Sequence, residues 1–342
     1  MRILHVSECY AGGVSRAIDT IAKLSSQHEH CLLWSGDDDP SKDKIYDEIF
    51  ELPTSHLKRL ASINKIAKLV KADIIYAHSS FAGFYCRLLP PAAPVVYEPH
   101  CFVFDDPDRS QISRWIYRAA EMLLSLNSKL VVTLTPHEEK LAKALRPGIT
   151  AVQLPNVPTI VPTIVREAGD SKATSRVVCM IGRIAPQKDP GFFASLAATT
   201  AELDDSVKFV WIGDGDPIAR ANLERHNVTV TGWVDKTRLV ELLVNSTLYF
   251  HSAKYEGFPL SVLDAAACSL PVLVRDIPCF EGFGLWSVDS VEEAAEMIIE
   301  AVNTGKLLNR IRKSSDDLLD RMNEENQIRA LNEIYSRMAV YK

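Results

Sequence analysis

No stretch of this 342-residue chain holds the roughly 20 consecutive apolar residues that a membrane-spanning helix requires. Its start, Met1-Arg2-Ile3-Leu4-His5-Val6, lacks the long apolar region of a secretion signal and runs directly into a strand-like segment, so a cytosolic location is expected. Cysteine is sparse and without paired spacing. The seven residues (Cys9, Cys31, Cys86, Cys101, Cys179, Cys268, Cys279) are odd in number and scattered, which argues against a disulfide framework or a zinc site and leaves reduced packing residues. Positive charge is not in excess either. Residues 1–157 hold 18 Lys+Arg and 18 Asp+Glu, so the net charge of -6 belongs to the remainder, and a nucleic-acid partner is not expected.

What is present is the composition of a globular protein, 47% hydrophobic and 24% charged, in a chain too long for one ordinary core. Short, mostly uninterrupted apolar runs recur with helical stretches between them. In the first half they are Arg2 to Ser7, Cys31 to Ser35, Asp73 to His78, Pro94 to Glu98, Lys129 to Thr135 and Thr150 to Leu154. Ser15 to Gln27 and Gln111 to Asn127 carry helical apolar spacing. Strands buried on both faces and alternating with helices predict a doubly wound parallel α/β sheet. The pattern breaks at Pro155-Asn156-Val157-Pro158 to Pro162 and at Gly169 to Thr174, which read as a linker. A second cycle follows, with strands near Arg176 to Ile181, Val207 to Ile212, Val228 to Thr231, Leu248 to His251, Pro271 to Val274 and Leu285 to Val288. Two Rossmann-like domains facing a cleft are expected, 1–160 and 161–324, with a C-terminal helix at about 325–342 crossing back to the first.

Three strand-to-helix junctions of the second half carry groups suited to a ligand. In Tyr255-Glu256-Gly257-Phe258-Pro259-Leu260 to Asp264, a β-like segment turns into a helix, with Pro259 suited to a first helical position and Gly257 permitting close backbone approach. The free N–H groups of a helix start suit a phosphate, and the nearby carboxylates Glu256 and Asp264 suit sugar hydroxyls, so the stretch points to a nucleotide sugar. Alternatively, Glu256 caps the helix and Asp264 faces solvent. At Ile181-Gly182-Arg183 to Lys188-Asp189, Gly182 permits a tight turn, and Arg183 and Lys188 put two positive charges where a diphosphate needs them. Gly213-Asp214-Gly215-Asp216-Pro217 could hold a divalent metal, but it is strong turn chemistry, and the turn is the expectation. Gly232-Trp233-Val234 could read a nucleobase edge with its backbone, or Trp233 could be ordinary packing.

In the first half, Gly12 and Gly13 follow the first strand without the spaced third glycine of the dinucleotide fingerprint, so an NAD site is weakly supported. A glycine pair can still let backbone approach a phosphate or sugar, or be a plain turn. His100 stands at a strand end beside Glu98 and is the histidine singled out for function there; His78 reads as structural. From Lys58 to Lys71 five basic residues and no acidic one oppose an apolar face. Such a helix packs on its own sheet or rests on anionic lipid at the inner face of a membrane.

Taken together, Gly182-Arg183 with Lys188, Gly213-Asp214-Gly215, Gly232-Trp233-Val234 and Glu256-Gly257-Phe258-Pro259 resemble, in order, the retaining GT-B glycosyltransferases of family 4, also called glycosyl transferases group 1. The resemblance implies a nucleoside-diphosphate-sugar donor, most often a UDP-sugar, held mainly by the C-terminal domain, and a glycan or lipid-linked acceptor held mainly by the N-terminal one. Transfer would retain the anomeric configuration and need no metal or other cofactor, and cell-surface polysaccharide or glycolipid synthesis is the expected setting. By the same resemblance, Arg183 and Lys188 bind the diphosphate, Glu256 contacts the transferred sugar, Asp264 takes the ribose hydroxyls, and backbone from Gly257 to Leu260 adds donors. His100 lies close to the reacting sugar, and Gly12 and Gly13 close over the donor. The chain departs from the family pattern where Asp264 replaces a glutamate and Asp189 a commoner glycine. Two other readings use the same fold: a nucleotide-sugar 2-epimerase or hydrolase, and a non-catalytic nucleotide-sugar-binding subunit.

Overall fold

The computed structural model describes residues 1–160 and 176–341. The chain forms two compact units, Met1–Asn156 joined by the segment from Asn323 onward, and Val157–Met322. The first is built from β1 (Arg2–Ser7), α1 (Gly12–Leu24), β2 (Glu29–Trp34), β3 (Glu48–Glu51), α2 (His56–Leu69), β4 (Ile74–His78), α3 (Ser80–Arg87), β5 (Val95–Glu98), α4 (Gln111–Leu124), β6 (Leu130–Thr133), α5 (Pro136–Leu145) and β7 (Ala151–Gln153). Its seven strands are parallel in the order β3-β2-β1-β4-β5-β6-β7. Parallel pairing forces crossover connections, and these lay helices on both faces, which is why the strands carry apolar residues at successive positions. Along β1, Leu4 and Val6 enter the core beneath α2 and α3, and Ile3 enters the opposite one.

The second unit contains β8 (Val177–Ile181), α6 (Pro190–Leu203), β9 (Lys208–Ile212), α7 (Pro217–Arg225), β10 (Val228–Val230), α8 (Lys236–Val244), β11 (Leu248–His251), α9 (Leu260–Ala267), β12 (Val272–Arg275), β13 (Trp286–Val288), α10 (Val291–Thr304) and α11 (Lys306–Leu319). Its parallel sheet runs β10-β9-β8-β11-β12-β13. The helices start where the sequence supplies a cap: the side chains of Asp189, Asp216, Asp235 and Ser290 each accept the N–H three residues on, a contact that contributes about 1 kcal/mol per helix. In both sheets the connections reverse direction, beside β1 in one and β8 in the other, and the loops leaving those strands open a crevice at their carboxyl ends.

The last helix, α12 (Glu324–Ala339), belongs to the first unit. It buries Leu331, Ile334, Tyr335 and Met338 against Ile3, Tyr76, Val132 and Val152, and Gln327 donates to the Pro155 carbonyl at 2.9 Å. The helix lies where the C-terminal helix is expected, at about 325–342, and a turn near Met322 separates it from α11. The first boundary falls at Asn156, a few residues before the expected 160, because Val157 and Ile160 are buried and Thr159 is tied to Asp264 of the second unit. Pro162 and the Gly169 to Thr174 part of the expected linker lie outside the described residues. Strand β3 was not legible: as an edge strand it reads Glu-Ile-Phe-Glu, too polar for the buried pattern.

Candidate active site

In the second unit the loop after β8 is stitched to the loop after β11. Lys254 N–H donates to the Gln187 carbonyl at 2.9 Å, and the Ser252 hydroxyl donates to the Lys188 carbonyl at 2.7 Å. This brings Lys188 into an ion pair with Glu256. Gln187 donates to Tyr255 O and to Glu256 Oε2, at 3.1 and 3.3 Å, and His251 Nε2 lies 3.6 Å from Glu256 Oε1. Burial pushes the Glu256 carboxyl up, but the Lys188 charge, with His251 beside it, more than offsets this and holds it down to about 2. Burial lowers the His251 pKa, so a neutral imidazole stands beside a carboxylate that stays ionised. Neither Gln187 nor His251 was singled out from the sequence; their signal is position alone, at the end of β11 and in the loop facing it.

Arg183 is exposed and makes no hydrogen bond or ion pair with another described residue. A guanidinium on a loop clamped at both ends is held out with its donors unspent. The clamp depends on glycine. A Cβ at Gly213, where φ is +143°, would lie 2.2 Å from the Gly182 carbonyl oxygen, and one at Gly215 would lie 2.3 Å from that of Ile184. Asp189, where glycine is commoner, takes a left-handed φ of 49° that aspartate tolerates, caps α6 and pairs with Arg275 at 2.7 Å. Asp214 pairs with Arg220 at 2.9 Å and Asp216 caps α7, so both carboxylates of that turn serve the fold. Trp233 is 66% exposed and is not core packing, while Val234 is half-buried. Gly257, Phe258, Pro259 and Leu260 are buried; Pro259 sits in the N-cap position of α9 rather than inside it, and no side chain caps that helix.

Asp264 is only 1% exposed and does not face solvent. Its oxygens accept the Thr159 N–H at 2.6 Å and the Thr159 hydroxyl at 3.1 and 3.0 Å. A carboxylate read as a ribose ligand is thus bonded, in this structure, to the segment that enters the unit.

In the first unit a row of four histidines crosses the sheet, from His30 near the start of β2 through His5 within β1 and His78 at the end of β4 to His100 just past β5. His100 Nε2 lies 3.2 Å from His78 Nδ1, His78 Nε2 lies 3.0 Å from His5 Nδ1, and His5 Nε2 lies 2.9 Å from His30 Nδ1. His30 Nε2 lies 3.0 Å from the Ser25 carbonyl. A carbonyl only accepts, so His30 Nε2 carries the proton, and with four neutral rings every Nε2 in the row does. His100 Nδ1 is left bare as an acceptor, 3.5 Å from Glu98 Oε1. Tyr76 donates to Glu98 Oε2 at 2.7 Å, and burial raises the Glu98 carboxyl to about 7. His78, Glu98 and His100 are the one set of three among the described residues with metal-ligand spacing, but the ring nitrogens concerned are bonded to each other. His100, Cys101 and Ser79 all have positive φ, a cluster of unfavourable backbone at the strand ends, and buried Glu138 holds the Cys101 and Leu134 N–H groups at 2.9 and 2.7 Å.

This row makes stability pH-dependent. Burial lowers the pKa of His5, His30 and His78, and that of His100 to about 4. Each contributes stability that is fully present above the unfolded value near 6.5 and is lost as pH falls below it. Glu98 and Glu138, both raised by burial to about 7, work the other way from about pH 4.5 to 7. The histidines outnumber them, so we expect the unfolding free energy to rise from pH 5 to 6.5 by on the order of 2 kcal/mol per pH unit. Denaturant titrations across that range check this, and a flat or falling profile would overturn it.

Gly12 and Gly13 are exposed at the start of α1. Gly12 has a φ of +58°, and its N–H is accepted by Asp38 at 2.7 Å, so a carboxylate already occupies part of that helix start.

Comparison with known proteins places these features. Residues 25–156 match the glycosyl transferase 4-like domain and residues 163–317 match glycosyl transferases group 1. An Escherichia coli relative, UDP-Gal:alpha-D-GlcNAc-diphosphoundecaprenol alpha-1,3-galactosyltransferase, is 26% identical over 84% of this chain and 81% of its own. Among solved structures, sucrose-phosphate synthase of Thermosynechococcus elongatus superposes with a TM-score of 0.81 over 100% of both chains at 14% identity. Anabaena Alr3699/HepE in complex with UDP-glucose gives 0.80 over 98% of this chain and 99% of its own at 16% identity. The two matched domains in this order, and a fold shared along the whole chain, make the protein a GT-B glycosyltransferase of the glycosyl transferases group 1 family.

Proposed function

We propose that the protein moves a sugar from a UDP-sugar to a hydroxyl of a glycan or lipid-linked acceptor, with retention of anomeric configuration and without a metal. The observation that carries this reading is the Lys188–Glu256 pair clamped between two strand ends, beside an Arg183 with unspent donors. Breaking the bond from the anomeric carbon to the diphosphate builds negative charge on the leaving phosphate and positive charge on the sugar. Arg183, Lys188 and the uncapped start of α9 stabilise the first, and the ionised Glu256 accepts hydroxyls of the transferred sugar. The exposed Trp233 offers a face or a backbone edge to the base. A ribose seeking Asp264 shares that carboxylate with Thr159 or displaces it. In the first unit, we assign His100, with its bare Nδ1, a role at the reacting sugar, and Gly12 and Gly13 a role in donor binding. The Escherichia coli galactosyltransferase and the Anabaena protein in complex with UDP-glucose support UDP as the base, and the former supports a diphosphate-lipid acceptor. We place the reaction in cell-surface glycan synthesis at the inner face of a membrane, with the basic residues of α2 in peripheral contact.

The test is thermal shift against UDP, GDP, ADP and their sugar conjugates, with and without EDTA, followed by NMR of the product's anomeric carbon. A UDP-specific shift indifferent to EDTA and a retained anomer are expected. A shift that requires metal, or an inverted product, would sink the reading.

A further inference from the structure

Helix α4 is turned inside out. Ile112, Trp115, Ile116, Met122 and Leu123 recur at the i, i+3, i+4 spacing that ordinarily marks a buried stripe. Here they are exposed, Ile112 by 76%, Trp115 by 73% and Leu123 by 71%. What α4 buries is Leu124 and the carboxylate of Glu121, which Arg87 holds at 2.9 Å and Tyr97 at 3.0 Å. Leu57 of α2, Phe81 and Phe84 of α3, and Leu88 and Leu89 beyond it are exposed as well. Between α2, α3 and α4 a cavity of about 470 Å³ opens, lined by Leu60, Phe84, Leu88, Ile116 and Leu124 among others. Its polar lining is largely spent: His56 is hydrogen bonded to Tyr85 and Glu121 to Arg87, which leaves little for a polar ligand. Contiguous apolar exposure on this scale marks an interaction surface.

The charges around it indicate the partner. Lys58, Lys65 and Lys68 of α2 and Arg118 of α4 are exposed, and from Leu52 to Tyr97 the chain has one acidic residue, Asp73, which accepts the Arg2 N–H at 2.7 Å. A second copy of this surface would bring like charges together. An anionic surface would neutralise them. We infer that the outer face of α4, with the mouth of the adjoining cavity, seats on an anionic phospholipid bilayer, and that the cavity takes up a hydrocarbon chain from it. Trp115 sits at the depth where an amphipathic ring is most stable, the aliphatic residues of α4 enter the acyl boundary, and the lysines of α2 face the headgroups. This deepens the membrane contact proposed above and moves its apolar part from α2 to α4, but it does not depend on the donor assignment.

Flotation with vesicles tests it, using phosphatidylcholine alone and an equimolar mixture with phosphatidylglycerol. The full chain is expected to float with the mixture and to bind phosphatidylcholine alone at least about tenfold more weakly. The double variant Trp115→Glu, Leu123→Glu, exposed at both positions, is expected to stay at the bottom while keeping its melting temperature. Ala120→Trp, which fills the cavity and leaves the outer face intact, is expected to weaken but not abolish flotation. Wild-type protein that ignores both vesicles, or a double variant that floats equally well, would overturn the inference. So would light scattering that shows a wild-type dimer, a monomeric double variant and no lipid binding, because the face would then join two copies. Thermal shift with nucleotides, run on the same preparations, reports separately on the transferase reading.

Discussion

Arg183→Ala is expected to lower kcat by roughly 10²–10³-fold while leaving the melting temperature unchanged. The guanidinium is exposed and bonds to no described residue, so its removal vacates nothing in the fold. On the proposed reading it acts most strongly when the diphosphate gains charge, and a preorganised donor of this kind contributes about 3 to 4 kcal/mol to the barrier. Binding of UDP itself, which already carries the charge, is expected to weaken as well. Steady-state kinetics with thermal denaturation of the unliganded protein separate the two effects. A variant with unaltered kcat would remove Arg183 from the reaction, and one that melted early would show a structural role instead.

Lys188→Met should act on both. Lys188 offsets the desolvation of Glu256, and without it the carboxyl keeps only the contact to neutral His251 and the Gln187 amide. A largely buried charge left without its partner costs about 3 kcal/mol or more of stability. Held down to about 2, Glu256 contributes stability that is present above the unfolded value near 4.5 and is lost as pH falls through about 2. In the variant its pKa rises, and that contribution is absent at neutral pH. Chemical denaturation at pH 7 should show the loss, and activity should fall at least as far as in Arg183→Ala. The control is the double variant Lys188→Met, Glu256→Gln, which removes the stranded charge. It should recover most of the stability and none of the activity; recovery of neither would mean that the aliphatic stem of Lys188, passing over Gly182, is what matters.

The fold was legible because parallel strands advertise themselves. Each core strand is a short apolar run covered on both faces, and the helices between them carry their own period. The stretches around Arg183, Lys188 and Glu256 were legible because each lies at a strand end whose position in the crevice follows from topology. What could not be read was the pairing of residues far apart in the chain. The histidine row joins positions 30, 5, 78 and 100 across four strands, and only the register of the sheet puts their rings in line. Asp264 meets a threonine 105 positions away. Helix α4 carries a pattern that means burial nearly everywhere else, and only coordinates show that the stripe is on the outside.

The return of α12 to the first unit has a consequence for synthesis. Val157–Met322, 166 residues by those bounds, leave the ribosome between β7 and the helix that closes over Ile3, Tyr76, Val132 and Val152. At about 5–20 residues per second, that face of the sheet waits on the order of 10 to 30 s for its cover. The unit translated first is the last to be finished, and in that interval its half-covered sheet is open to chaperones and to misassembly.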